Sequence, residues 1–75
     1  MICYKVDIME ELKRAGYPSG RIQKEKLIPG QTLQNIKDKK MINLTTLNKV
    51  CAMTRKQPGE LIEFIPTDEE KIKYY

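Results

Sequence analysis

The sequence predicts an all-α domain of five short helices, with a small two-stranded ribbon joining the ends of a unit spanning residues 1–66. Three observations predict it. Apolar residues recur at helical spacing in several short windows. Each window is bounded by Gly, Pro or Asn, which stop or cap helices. Only Ile2-Cys3-Tyr4-Lys5-Val6 and Ile62-Glu63-Phe64-Ile65, near the two ends, read as strands, and they are placed to pair with each other.

The first helix is expected over residues 6–15. Val6, Ile8, Met9 and Leu12 form its apolar stripe, Asp7, Glu10 and Glu11 come early and Lys13 and Arg14 late, as the helix dipole favours, and Gly16 ends it. Tyr17-Pro18-Ser19 opens a second, highly charged helix over 19–26, whose main apolar contact is Ile22. Leu27-Ile28-Pro29-Gly30 is an unusually apolar break. A third helix over 31–39 turns Leu33 and Ile36 inward and leaves Gln31, Thr32, Gln34, Asn35 and Lys37 outside. Asn43 is suited to cap a fourth helix over 44–54, with Leu44, Leu47, Val50, Cys51 and Thr54 on its core face. Residues 56–62 read as a short fifth helix with Pro58 in its first turn. Residues 67–75 are expected to be a frayed, charged tail with Tyr74-Tyr75 as its only adhesive feature.

A chain of 75 residues forms one small domain. It contains no His, which excludes His-based acid–base and nucleophilic catalysis and His-containing metal sites. Cys3 and Cys51 are too few for a structural zinc site or a disulfide framework. Cys51 falls on the core face of the fourth helix as a buried, inert thiol. No cofactor motif occurs, and a binding module is favoured over an enzyme. No apolar run approaches the roughly 20 residues of a membrane span. The first residues turn acidic too early for a signal peptide, so a reduced, cytoplasmic setting is expected.

The net charge of +4 conceals an asymmetry. Residues 17–59 hold nine basic residues against Glu25 and Asp38, a net +7, whereas residues 60–75 are net −3. A basic middle points to a polyanion, nucleic acid first and a membrane surface second. Within it, residues 17–40 form a helix, a tight break and a second helix. That second helix carries the side chains that read base edges: Asn and Gln bond adenine bidentately, Thr bonds a base edge or meets the thymine methyl, and Lys reaches guanine or phosphate.

Ile22, Ile28, Leu33 and Ile36 match the apolar skeleton of a helix-turn-helix. Leu47-Asn48-Lys49-Val50-Cys51-Ala52-Met53, followed by Gln57-Pro58-Gly59-Glu60-Leu61-Ile62-Glu63-Phe64, resembles a run found in small bacterial regulators of the Cro and lambda-repressor-like (Xre-type) family. The resemblance covers about residues 6–65. It implies a compact five-helix domain, a helix-turn-helix over about 19–39, and a third helix that enters the major groove of double-stranded DNA. Carried over by position, it implies base contacts from Gly30, Gln31, Thr32, Gln34 and Asn35. It implies phosphate contacts from Ser19, Arg21, Lys37, Lys39, Lys40, Asn43 and Thr45. It also implies transcriptional regulation by a homodimer on a pseudo-palindromic site. Candidate dimer surfaces are the fifth helix with Phe64 and Ile65, the ribbon edge, and the Tyr-Tyr tail.

The sequence departs from the family pattern at five positions. Gln23 stands where a small residue is usual, Leu27 and Lys39 where Gly is common, and Pro18 and Pro29 where Ser or Thr caps are common. Ser19 and Gly30 are therefore expected to act as the effective caps. The rival reading is a protein-interaction module, antitoxin-like or adaptor, that uses the same fold with its basic face on an acidic partner.

Overall fold

The computed structural model describes residues 1–75. In chain order the elements are β1 (Ile2–Tyr4), α1 (Ile8–Arg14), α2 (Ser19–Lys24), α3 (Gly30–Lys37), α4 (Leu44–Thr54), α5 (Pro58–Leu61), β2 (Ile62–Phe64) and α6 (Asp68–Tyr74). The fold is mostly helical with one small sheet, as the apolar spacing predicts, but it has six helices rather than five.

The core is a cluster of Ile8, Leu12, Ile22, Ile28, Leu33, Ile36, Val50 and Leu61, all buried. Every helix from α1 to α5 thus sends at least one aliphatic side chain to the same centre, and α1 packs against both α3 and α4. Ile28 belongs to no helix, yet it is as buried as the helical core residues. The apolar break between α2 and α3 is therefore a plug that fixes the angle between them.

Each helix boundary has a local cause. Asp7 caps α1 by accepting from the Glu10 amide at 3.2 Å, which moves the start from the expected residue 6 to Ile8. Asn43 caps α4, accepting from the Thr46 amide at 2.8 Å. Pro18 and Pro29 themselves occupy the cap positions of α2 and α3, with no side-chain bond, so Ser19 and Gly30 are the first helical residues and not the caps. At the other ends, α1 closes on Gly16 at φ 94°, a left-handed conformation that glycine adopts without strain. Lys26, Lys39 and Arg55 take the same role at φ 53°, 58° and 57°. At Lys39 the residue standing for the family's glycine adopts the glycine-like conformation. In the α2–α3 turn the left-handed residue is Lys26, one position before Leu27.

β1 and β2 pair antiparallel in the register Ile2↔Phe64, Cys3↔Glu63 and Tyr4↔Ile62. Two flanking bonds, Lys5 N–H to Leu61 O at 2.9 Å and Ile65 N–H to Met1 O at 3.0 Å, extend the tie. The ribbon fastens the start of the chain to the end of α5.

Two further expectations are corrected. Residues 67–75 are not a frayed tail, because Thr67 and Glu70 form a reciprocal capping box that starts α6. Leu44 is not a core residue: it is 82% exposed. As the first residue of α4 it lies one turn before Leu47 and beyond the edge of the core.

Candidate nucleic-acid interface

α3 is anchored from one side only. Leu33 and Ile36 are 1% and 3% exposed, while Gln31 and Gln34 are exposed and Thr32 and Asn35 half-buried. At 3.6 residues per turn, Gln31, Gln34 and Asn35 lie opposite the two anchors. Gly30 begins the helix in the open, with no atom within 4 Å of where a Cβ would stand.

The outward amides are ordered by bonds one turn apart. Gln31 Nε2 donates to Asn35 Oδ1 at 3.1 Å, and Gln34 Nε2 donates to Asp38 Oδ1 at 3.0 Å. Asn35 keeps both N–H donors and one oxygen lone pair, the set needed for a bidentate bond to adenine.

The cations around this helix divide into two kinds. Arg21 is tied down: its Nε lies 2.6 Å from Glu25 Oε2, its Nη1 donates to Gly16 O at 2.8 Å, and its guanidinium sits 4.6 Å from the Tyr17 ring centre. The hydrogen bond and charge of Glu25 hold its pKa above the ordinary arginine value. Lys37, Lys39 and Lys40, at and beyond the end of α3, have no acidic partner within ion-pair distance. The same holds for Lys24, Lys26 and Lys49, which sequence reasoning did not single out as contacts. The composition signal for them was the +7 middle. What it could not show is that the two acids of that stretch are engaged elsewhere, Glu25 with Arg21 and Asp38 with the Gln34 amide.

Ser19 is half-buried in the first turn of α2, and Thr45 is exposed in the first turn of α4. Asn43 spends its Oδ1 on capping α4. None of α2, α3 and α4 has an acidic residue in its first turn, whereas α1, α5 and α6 all do. The N-termini of α2 and α3, which have neither an acid nor a side-chain cap, are therefore left open to an anion.

One positioning residue was hidden from sequence. The Tyr4 hydroxyl donates to Lys40 O at 2.5 Å, across 36 residues. This bond ties the turn that carries Lys39 and Lys40 to the ribbon. Burial raises the Tyr4 pKa, so the hydroxyl keeps its proton and remains a donor.

Two helices joined by a plugged turn, the second braced from behind and polar in front, make a helix-turn-helix of the DNA-binding class. A family model described as the Cro/C1-type HTH DNA-binding domain matches residues 10–67, and the chain belongs to that family. No curated protein and no solved structure gives a match. No helix is long and apolar enough to cross a membrane.

Proposed function

We propose that this chain is a sequence-specific, cytoplasmic transcriptional regulator that inserts α3 into the major groove of double-stranded DNA. The observation that carries the reading is the one-sided anchoring of α3: two aliphatic residues hold it and three amide side chains face away. Gln31, Thr32, Gln34 and Asn35 read base edges, with Gly30 allowing close approach of the helix start. Lys37, Lys39 and Lys40 neutralise phosphates, with Ser19, Asn43 and Thr45 bonding phosphate at helix N-termini. Arg21, held by Glu25 and Tyr17, reaches phosphate only if it exchanges partners, and it contributes least. One domain of this size offers a small interface. Two copies on half-sites about 34 Å apart supply the affinity a regulator needs.

Selection of bound sites from random duplex DNA tests the reading and returns both motif and symmetry. Against the selected site, Asn35→Ala loses about 1–3 kcal/mol of discrimination while non-specific binding persists. Lys40→Ala weakens all duplexes alike and lowers the salt slope by about one. A pure protein with no salt-dependent duplex binding would overturn the reading and favour a protein-interaction module.

A further inference from the structure

A groove of about 690 Å³ runs between the ribbon and the segment that joins α3 to α4. Ile2, Met41 and Leu44 line it and are 48%, 63% and 82% exposed. Lys5, Lys39 and Lys40 stand along its edges, with Asp7 as the one acid. Nothing in the chain fills it.

α6 has the complementary character. It buries no side chain, and its first turn holds Asp68, Glu69 and Glu70, followed by Lys71 and Lys73. Helical spacing from Asp68 to the capping residue Tyr75 places Asp68, Ile72 and Tyr75 within about 60° of one another around the axis, with Glu70 on the opposite side. Glu70 faces its own chain, its Oε1 lying 2.5 Å from the Met1 amine. The Asp68–Ile72–Tyr75 face therefore points away, and Ile72 and Tyr75 are 84% and 81% exposed. Tyr74 already has a partner in Lys73, whose ammonium lies 5.4 Å from the ring centre.

We propose that this face of α6 seats in the groove of a second copy of the chain, and that the exchange is reciprocal. Ile72 and Tyr75 pack on Ile2, Met41 and Leu44 of the other copy, and Asp68 meets its Lys5. The occupant is a second copy because no residue of α6 lines the groove of its own chain. The capping box of Thr67 and Glu70, together with the Met1–Glu70 pair, fixes the direction in which α6 leaves. Met1 lies both in the groove wall and at the root of α6, so groove and arm sit side by side in each copy. A two-fold relation then forms two identical contacts, each pairing Asp68 at the start of α6 with Lys5 at the groove, which leaves Lys39 and Lys40 to phosphate. The proposal deepens the two-copy reading above and rests on it.

Sedimentation equilibrium of the full chain without DNA tests it. The wild-type chain associates to a dimer. Ile72→Asp and Leu44→Asp each weaken the dimer at least about tenfold, with thermal unfolding of the domain retained because both side chains are exposed. An equimolar mixture of the two variants regains association, since one copy keeps an intact groove and the other an intact α6 face. A wild-type chain that stays monomeric, a dimer indifferent to both substitutions, or a mixture that associates no better than either variant alone would overturn the proposal. Binding of Ile72→Asp to a single half-site duplex is measured separately. Retained half-site binding with an unchanged dimer rejects the groove alone, and absent duplex binding by wild type rejects the DNA reading.

Discussion

α3 and α6 differ by one residue in length and are held by opposite means. α3 starts on a proline with no side-chain cap and no acid in its first turn, and it persists because Leu33 and Ile36 are buried. α6 buries nothing and persists through its own ends: a capping box, three acids in its first turn, and an ion pair to Met1. Isolated helices this short are marginal in water. The contrast shows two independent sources of helix stability. A helix braced by the core can leave its N-terminus and outer face uncommitted, which is what a DNA-reading helix requires. A helix braced by its cap leaves a side-chain face uncommitted instead.

The largest expected effect breaks the brace behind α3. Leu33→Ala removes a side chain that is 1% exposed at the centre of the cluster. It costs about 2–5 kcal/mol of global stability, seen as a lower urea midpoint and Tm, and it lowers duplex binding with it. An unchanged unfolding midpoint would mean that α3 is not held by the core.

The caps sharpen the comparison. Asn43→Ala removes an acceptor 2.8 Å from the Thr46 amide at the start of α4, a helix docked on α1. It costs about 0.5–2 kcal/mol of global stability. Thr67→Ala removes the corresponding acceptor in α6, 3.2 Å from the Glu70 amide. Because α6 is outside the core, this change leaves the unfolding midpoint in place and reduces only the helical chemical shifts of 68–74. Equal losses of global stability from both substitutions would show that α6 is part of the cooperative unit.

Much of this was legible in the sequence because its cause is local. Ile22, Ile28, Leu33 and Ile36 match the apolar skeleton of a helix-turn-helix, and all four are buried. Asn43 was readable as a cap, and the ribbon was readable from two β-prone segments at the ends. The tail was misread because the signal weighed there was charge density. The decisive pattern was Thr67-x-x-Glu70, a capping box that needs no apolar neighbour. Leu44 was misread because apolar spacing places a residue on a face but does not say how far the core extends along it. The Tyr4–Lys40 bond depends on tertiary neighbours 36 residues apart, which periodicity does not encode.

The smallest expected effect tests how α6 is rooted. The hydrogen bond from the Met1 amine, with the Thr67 backbone amide and the charge of the amine adding to it, holds the Glu70 carboxyl below its ordinary pKa. A depressed carboxylate pKa means that the stabilisation is fully present above the ordinary glutamate value. It is lost as the pH falls through the lower, folded-state value, where the carboxylate takes up a proton. Acidification through that window therefore loosens the first turn of α6 while the core around Leu33 stays folded. NMR titration of the Glu70 side chain and the Thr67 amide follows both events. Glu70→Gln removes the titrating group, so its Thr67 amide loses this pH response. A Glu70 that titrates at the ordinary glutamate pKa, with a Thr67 amide that does not follow it, would show that α6 is not rooted on Met1.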